Sequence, residues 1–448
     1  MSIISEKIEI VIQFPMIELN IIGCKMRKSV YLVSLLGVSF LGADSLSDSF
    51  KGAEVDGEVR VVNYTRTSTE SDFFGEARGT ALGVQLGLST KPIHNVKGNV
   101  RFFSTNAIGG GDKSELIHTN LVDLTKDYAI IGVANIEYND GTNIFKVGRE
   151  ELHTPLVSSD DARVIKDLFS TVDFSTTIIP KTTLRALYID KNSGMDNSLN
   201  GSQHKSDFVS MSKTLGTSYD RGMAALGIKN SSIANTTVSA WYYYGIDFID
   251  MFYVDANYKT TLGGYDLKLE GHYWDIKSTD KFNKDVGDKI DYNYGGVRAS
   301  VKKDNLVLQL AQERINLADN SHSIHTAWGM YSEYTYGFLM GSGIYGALNQ
   351  WITDKVTKVD ATKATAIYKF SKQNATVLVG YNWWDSDSKE QGDTELLDIL
   401  VSWDCLFVDN ASWQVIYENW NLKEEPPAGS KHTLVDNNLV RAKFVYKF

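Results

Sequence analysis

The chain has 448 residues, a formal net charge of -10, 6 prolines and 2 cysteines. So few cysteines exclude a fold held together by disulfides, and the acidic balance argues against nucleic acid as a partner, because binding a polyanion needs a basic surface. No proline-rich linker divides the sequence, so we expect one continuous domain behind a short N-terminal segment.

The N-terminal segment predicts a secretory signal that does not begin the chain. A short basic region that begins at Met26 and contains Arg27 and Lys28 leads into an apolar stretch, which ends at the small residue Ala43. This order is typical of a signal peptide, which we predict at 26–43 with cleavage near Ala43. The mature protein is then 44–448, and we interpret 1–25 as an upstream extension from a start codon assigned too early.

Alternation of apolar and polar residues predicts strands in the rest of the chain. Residues 82–88, 96–102 and 265–274 each place apolar side chains on one face and polar or small side chains on the other. A tilted strand needs about 9 to 11 residues to cross the hydrocarbon. No apolar run long enough for a transmembrane helix follows the signal, so a chain destined for the membrane has to close its strands into a barrel.

Connections of two lengths alternate between the predicted strands, as in outer-membrane barrels with short periplasmic turns and long outer loops. Both chain ends of such a barrel lie on the periplasmic side, so the strand number is even, and we predict about 18 strands. Two segments, 207–214 and 327–351, stay unassigned. Turn residues predict short connections at 91–95, 139–142, 303–304 and 371–375, and polar stretches predict long ones at 106–127, 151–172, 191–206, 276–289 and 421–437.

The C-terminal strand alternates without interruption from Val440 to Phe448. Its apolar face suits lipid, whereas its other face carries Arg441, Lys443 and Lys447 and suits water. A last strand that ends in Phe448 resembles the recognition signal of bacterial outer-membrane barrels, which implies the barrel assembly machinery and membrane lipid as partners. We therefore predict an all-β fold, a transmembrane antiparallel barrel in the bacterial outer membrane.

Motifs for catalysis and metal binding are missing from the sequence. The nearest histidine pair, His322 and His325, lacks the spacing of a metal site, and no nucleophile elbow occurs. A glycine run at 109–114 has the Gly-Lys-Ser core of a phosphate loop broken by Asp112, so we interpret it as an ordinary loop. We predict no catalytic residue, no metal and no cofactor.

Basic residues recur on the strand faces that we expect to point into the barrel. They have two interpretations, which the sequence leaves open. Any water-filled barrel has polar lining residues, whereas a ladder of arginines would guide carboxylate-bearing solutes, because a guanidinium pairs with a carboxylate through two hydrogen bonds. The predicted lining residues are Arg60, Lys97, Arg101, Lys146, Arg185, Lys268 and Arg298, with Lys302, Arg441 and Lys443 on the same faces.

A motif near residue 150 resembles the OprD-type outer-membrane porin family. The sequence Gly148-Arg149-Glu150 is followed by Thr154-Pro155, then by Asp160-Asp161 and Arg163. The family pattern there is Gly-Arg-Gln, Thr-Pro, then an acidic residue and Arg. This chain departs from it in having Glu150 where Gln is usual, and it lacks the proline that commonly follows the second Arg.

The resemblance implies that 151–172 is a loop that folds inward and narrows the pore. Arg149, Asp160, Asp161 and Arg163 would then lie near the narrowest point. Opposite charges that face each other across a pore produce a transverse field, which orients dipolar solutes. The alternative is that the two arginines form ion pairs that only anchor the loop to the wall.

The resemblance also implies a function, which is passive diffusion of small hydrophilic solutes and ions through a water-filled channel, with no enzymatic step. The arginine ladder, if present, adds a preference for carboxylate-bearing solutes. Two alternatives from other classes are a structural or adhesive barrel with a plugged lumen and a barrel hydrolase. Both a homotrimer and a monomer are compatible with the sequence.

Overall fold

Contacts within the chain divide it into two compact units, residues 1–52 and 53–448. The first unit contains a pair of two-residue strands, Asn20–Ile21 and Cys24–Lys25, and helix α1, Ala43–Lys51. The predicted signal peptide, 26–43, lies outside the described residues except for its last residue, Ala43, where α1 begins. The computed structural model describes residues 20–21, 24–25, 43–68, 77–108, 127–159, 164–194, 207–319, 321, 328, 334–335, 358–387, 391–424 and 432–448.

Eighteen long antiparallel strands in the described part of 53–448 form a closed barrel, which confirms the predicted fold and strand number. A two-residue strand, Val209–Ser210, and helix α2, Met211–Thr214, occupy the first unassigned segment, and helix α3 is Asp280–Val286. The barrel strands are β1 Glu54–Ser68, β2 Ala77–Ser89, β3 Val96–Ala107, β4 Tyr128–Asn139, β5 Asn143–Glu150, β6 Leu168–Thr176, β7 Thr182–Ser193, β8 Met223–Asn230, β9 Thr236–Gly245, β10 Ile249–Leu262, β11 Tyr265–Ser278, β12 Asp291–Lys303, β13 Leu306–Leu317, β14 Lys358–Phe370, β15 Ala375–Ser386, β16 Gln391–Asp404, β17 Ala411–Glu424 and β18 His432–Lys447.

Closure of the barrel joins the last strand to the first. Phe444 of β18 faces Val61 of β1 in the register, and the main chain of Phe448 exchanges two hydrogen bonds with Gly57. The N–H of Gly57 donates to the carbonyl oxygen of Phe448 at 2.8 Å, and the N–H of Phe448 donates back at 3.0 Å. Each barrel strand therefore has a partner on both sides, which satisfies backbone groups that lipid cannot hydrogen-bond.

Short turns join the strands at one end of the barrel, which we call the turn end. Most connections at the other end, the loop end, are longer, although the one at 246–248 between β9 and β10 is short. Gly263 and Gly264 form the two-residue turn between β10 and β11 with φ of 58° and 79°, as a type I′ hairpin requires. The predicted long connection 421–437 was wrong, because β17 and β18 remain paired up to Glu424 and His432. The residues of both strands are polar near the loop end, and a polar stretch in the sequence resembles a loop.

The two faces of the wall differ as the alternation predicted. Apolar side chains exposed on the outward face form a band around the barrel, and aromatic side chains cluster on that face at the turn end. Such girdles mark the membrane interface. The aromatic contacts at the turn end have ring centroids 4.7 Å apart for Tyr368–Phe370, 4.9 Å for Trp413–Phe444, 6.3 Å for Trp403–Trp413 and 6.2 Å for Tyr446–Phe448.

Inside the barrel, the lining is polar toward the turn end and contains two apolar clusters toward the loop end. The larger cluster packs β9 to β12 side chains such as Tyr243, Trp274 and Tyr294 against Leu152 and Leu156 from the connection after β5. The connection therefore lies within the barrel, packed against its wall. It spans 151–167, so the last five residues of the predicted loop 151–172 are instead the start of β6.

Candidate pore constriction

The first half of the inward loop is fixed to the β9 side of the barrel. Leu152, Leu156 and Val157 are fully buried. The backbone N–H of Leu156 donates to the Tyr243 hydroxyl at 3.4 Å, and that of Ser158 donates to the carbonyl oxygen of residue 328 at 2.8 Å. The loop is held by burial of apolar side chains and by hydrogen bonds to residues that are far from it in sequence.

A compact turn gives this half its shape. The backbone N–H of Thr154 and its hydroxyl both donate to the carbonyl oxygen of Val157, at 3.0 Å and 2.6 Å. The ends of the turn are joined as well, because the N–H of Ser159 donates to the carbonyl oxygen of Leu152 at 2.6 Å. The Thr154-Pro155 pair of the motif therefore closes the tip of the loop, with the proline restricting its backbone.

The second half of the loop contacts the opposite wall. Val164 and Ile165 pack with Val62 and Phe103 of β1 and β3, and the Arg60 guanidinium donates to the carbonyl oxygen of Val164 at 3.3 Å. The two described parts thus touch β9 and β1, which are eight strands apart in a barrel of eighteen. A segment that reaches both strands must cross the interior.

Only one of the four predicted constriction residues, Arg149, lies in the described part of the chain. Asp160, Asp161 and Arg163 lie outside the described residues. Arg149 lies on the face of β5 opposite to Lys146 and Glu150, and its side chain is on the outer wall. This placement does not support the prediction that Arg149 lines the pore, because side chains three positions apart on a strand point in opposite directions.

Arg149 is held in place by a ring and by one backbone oxygen. Its guanidinium carbon lies 4.3 Å from the centre of the Phe208 ring, and it donates to the carbonyl oxygen of Ile131 at 3.1 Å. The guanidinium forms no ion pair with a described residue, so the predicted loop-anchoring ion pair of Arg149 is likewise not observed in that part of the chain.

Glu150 points inward beside the base of the loop and was missing from the predicted site. Its carboxylate accepts a hydrogen bond from the Thr171 hydroxyl and lies 3.4 Å from the Lys146 ammonium. The side chain is almost completely buried. The signal in the sequence was its departure from the family's Gln, which adds a charge at this position.

A cavity of about 520 Å³ opens next to Glu150 on the β1 to β5 side. Acidic and basic side chains alternate along its wall and pair with each other. Lys97 and Lys146 flank Glu137, at 3.5 Å and 4.0 Å, and Lys166 of the loop lies 2.7 Å from Glu151. The charges of this wall are therefore largely balanced.

All seven predicted lining residues lie on the inward face, and each has a carboxylate partner. Arg185 has the most complete set of contacts, because it binds both oxygens of Asp173, at 3.0 Å and 2.7 Å, and donates to the carbonyl oxygen of His153 in the loop at 3.1 Å. The pairs are Arg60 with Glu58, Lys97 with Glu137, Arg101 with Asp56, Lys146 with Glu137 and Glu150, Arg185 with Asp173, and both Lys268 and Arg298 with Glu270.

Loop residue His153 has its pKa lowered, because partial burial disfavours the imidazolium. Its ring is therefore neutral at physiological pH. In contrast, turn residue Asp140 has its pKa lowered to about 2 by hydrogen bonds from Asn143 and Thr142, and it stays ionised.

Two inward lysines on the β10 to β13 wall, one of them the predicted Lys302, differ from the seven paired residues in forming no ion pair with any described residue. Lys259 and Lys302 line a second inward cavity, of about 690 Å³, at the turn end. Lys302 faces Asp266, which lines the same cavity, directly across β11 and β12. Lys259 directly faces Lys268 across β10 and β11, an arrangement of like charges that costs stability.

A second connection also enters the lumen, on the β11 to β13 side. Its Tyr334 ring stacks on His272 with centroids 4.3 Å apart and lies 4.4 Å from the guanidinium carbon of Arg298. The fully buried carboxylate of Glu313 accepts hydrogen bonds from the backbone N–H groups of Tyr334 and Thr335, both at 2.7 Å. This carboxylate therefore holds the second segment in the barrel.

The Glu313 carboxylate has further partners on the wall. The Tyr294 hydroxyl donates to it at 2.5 Å, and the Nε2 atom of His272 lies 3.0 Å from its other oxygen. These hydrogen bonds offset the cost of burying the charge of the carboxylate, and His272 adds a positive charge when it is protonated.

Metal and helix-based alternatives find no support in the described residues. Among them, no group of three potential metal ligands occurs, and no helix is both long and apolar enough to cross a bilayer. His322 and His325 lie outside this part of the chain.

The family comparison agrees with this geometry. The family model for outer membrane porins of the OprD family matches residues 109–335, about half of the chain. The chain belongs to the OprD family of outer-membrane porins. It is accordingly an outer-membrane channel for small solutes, and the OprD-type resemblance of the motif is confirmed. No curated protein sequence matches it significantly.

Solved OprD-family structures share the fold at low sequence identity. OpdK of Pseudomonas aeruginosa, crystallised with vanillate, has a TM-score of 0.65 and 15% identity, covering 88% of this chain and 98% of its own. OccAB1 of Acinetobacter baumannii has a TM-score of 0.66 and 13% identity, covering 89% and 97%. A BenF-like porin from Pseudomonas fluorescens Pf-5 has a TM-score of 0.65 and 14% identity, covering 89% and 100%.

Proposed function

We propose that this OprD-family channel passes small hydrophilic solutes and ions passively, without a chemical step, and favours solutes that carry a carboxylate. The observation that carries the preference is that two inward lysines of one cavity, Lys259 and Lys302, form no ion pair with a described residue. Because the predicted arginines are already paired, these two lysines are the better candidates to attract a carboxylate. The binding of vanillate, a carboxylate, by the related OpdK supports the same chemistry.

Lys259 and Lys302 are expected to act by charge alone. In a water-filled lumen, two unit charges about 4 Å apart interact by about 1 kcal/mol, which is roughly fivefold in a partition ratio. Such a modest attraction suits a channel, because a solute has to leave as readily as it enters.

Replacing Lys259 and Lys302 with glutamine should lower the anion-to-cation permeability ratio by about fivefold for each lysine removed, because each contributes about 1 kcal/mol. Reversal potentials of single channels in asymmetric salt measure this ratio. Lys303→Gln is the matched control, because Lys303 is a turn-end lysine on the outward face, 4.8 Å from the Tyr265 ring. An unchanged ratio in the double variant would refute the preference, and absence of any current in the wild type would favour a plugged barrel.

We further propose that Asp160, Asp161 and Arg163 line the narrowest part of the pore. The support is their position in the loop, between two parts that contact opposite walls. Asp161→Asn and Arg163→Ala should then change single-channel conductance while the unfolding midpoint stays close to that of the wild type. An unaltered current together with a less stable barrel would show that these residues only anchor the loop.

The N-terminal and C-terminal signals are also proposals. A basic and apolar segment at 26–43 supports export and cleavage near Ala43, and the paired position of Phe448 on the outward face supports recognition by the barrel assembly machinery. N-terminal sequencing of the membrane-inserted protein tests the cleavage, and an intact residue 26–43 segment would refute it.

Whether the barrel is a homotrimer or a monomer is decided by its mass in mild detergent.

A further inference from the structure

A polar row interrupts the lipid-facing side of the barrel at the loop end. Arg149 of β5 faces Ser170 of β6, and Ser170 faces Lys191 of β7, which in turn faces Ser210. Arg149 and Lys191 are both exposed. One step toward the turn end, the corresponding row is Val147, Val172 and Tyr188.

The row forms one side of a cavity of about 640 Å³ on the outer wall. Its carboxylates are Asp190, Asp207 and Asp220, and its third cation, Lys213, is paired with Asp220 at 2.8 Å. Arg149 and Lys191 form no ion pair with a described residue. The charge of Lys191 interacts with the nearby Asp190 and Asp220 without a direct ion pair, and neither cation takes part in the lumen.

The position of the cavity indicates what it meets. Short turns lie on the periplasmic side in this class of protein, so the loop end reaches the outer leaflet. Outward side chains at the upper edge of the apolar band contact lipid headgroups. The Arg149 guanidinium carbon lies 4.3 Å from the centre of the Phe208 ring, and the guanidinium is a planar donor whose geometry suits a phosphate.

We propose that this cavity binds a phosphate-bearing lipid of the outer leaflet, with Arg149 and Lys191 on the phosphate and an acyl chain along Val147 and Val172. The carboxylates in the cavity oppose a free anion, which has no apolar part to compensate for the repulsion. A lipid gains burial of its chain in addition to the charge-assisted hydrogen bonds. A lipid and inorganic phosphate both offer a phosphate group, and the apolar row next to the two cations favours the lipid.

The test measures binding of lipid A to the full-length barrel in detergent by tryptophan fluorescence, with dephosphorylated lipid A and inorganic phosphate as further probes. Lys191→Gln breaks no hydrogen bond or ion pair among the described residues and removes only its charge near Asp190 and Asp220. We expect it to weaken binding of lipid A about tenfold, as the loss of one charge-assisted contact implies. Arg149→Gln should weaken binding at least as much. Both variants should keep the wild-type conductance, which separates this site from the channel.

Lys303→Gln is the control, because it removes an outward cation next to an aromatic ring at the turn end. It should leave the affinity for lipid A unchanged. Equal affinity of the wild type and Lys191→Gln for lipid A would overturn the proposal. So would equal affinity for phosphorylated and dephosphorylated lipid A, or inorganic phosphate displacing the lipid at the concentration at which it binds alone.

Discussion

Replacing Glu313 with alanine should lower the free energy of unfolding by about 3 to 5 kcal/mol, the cost expected when one partner of a buried charged pair is removed. The variant leaves five donors around an empty site: His272, the Tyr294 hydroxyl, both groups of Thr335 and the N–H of Tyr334. It also frees the second inward segment, so single-channel conductance should rise. Urea unfolding in lipid vesicles and single-channel recording measure the two effects.

Glu313→Gln provides the matched comparison for this prediction. The amide keeps the size of the side chain and one acceptor oxygen, but it places an NH₂ group against backbone donors. Its loss of stability should therefore fall between that of the wild type and that of the alanine variant. An alanine variant with the stability and conductance of the wild type would contradict the assigned role of Glu313.

Replacing Arg185 with alanine should remove about 2 kcal/mol of stability and make the current larger and noisier. Arg185 joins the almost fully buried Asp173 to the backbone of His153. Its loss therefore leaves the Asp173 carboxylate buried without this cation and releases the inward loop. The pair is partly exposed, with 21% and 7% of the two side chains accessible, so the effect is smaller than for a fully buried pair.

Arg185→Lys separates loop anchoring from guidance of solutes. A lysine keeps the charge but lacks the planar fork that binds Asp173 and His153 at the same time. If Arg185 anchors the loop, the lysine variant should show nearly the same noise and loss of stability as the alanine variant. Normal current noise with a selective loss of anionic solute uptake in the alanine variant alone would instead support the arginine ladder.

The barrel was predictable because its signal is periodic. A strand that exposes one face to lipid and the other to water has to alternate, and Val440 to Phe448 does so without a break. The same parity correctly places Arg441 and Lys443 on the inward face. The prediction failed at 421–437, where paired strands extend past the apolar band and both faces become polar, which removes the periodic signal.

Arg149 shows how a motif and a strand rule can disagree. The family motif suggested a position at the constriction, but Lys146 was also predicted to point inward. Residues three positions apart cannot share a strand face, and the ladder with β4 continues through Arg149. The strand rule was the stronger constraint, because each backbone hydrogen bond enforces it.

Glu313 was beyond the reach of sequence reasoning for a different reason. Its partners His272 and Tyr334 are distant in sequence and come from a strand and a connection. The alternation in the sequence indicates only that Glu313 is a polar residue on the face of β13 opposite to the leucines. Which segment enters a barrel, and which acidic group it meets there, depends on long-range packing that a single sequence does not encode in any periodic form.

The apolar clusters inside the barrel have a consequence for calorimetry. A barrel with only water and polar groups in its lumen exposes little new apolar surface to water when it unfolds within a membrane. Here the unfolding exposes Leu152, Leu156 and Trp274, which are buried in an apolar cluster. Unfolding should therefore have a positive heat-capacity change, as in a water-soluble globular protein. The free energy of unfolding should then vary with temperature along a curve and not a straight line.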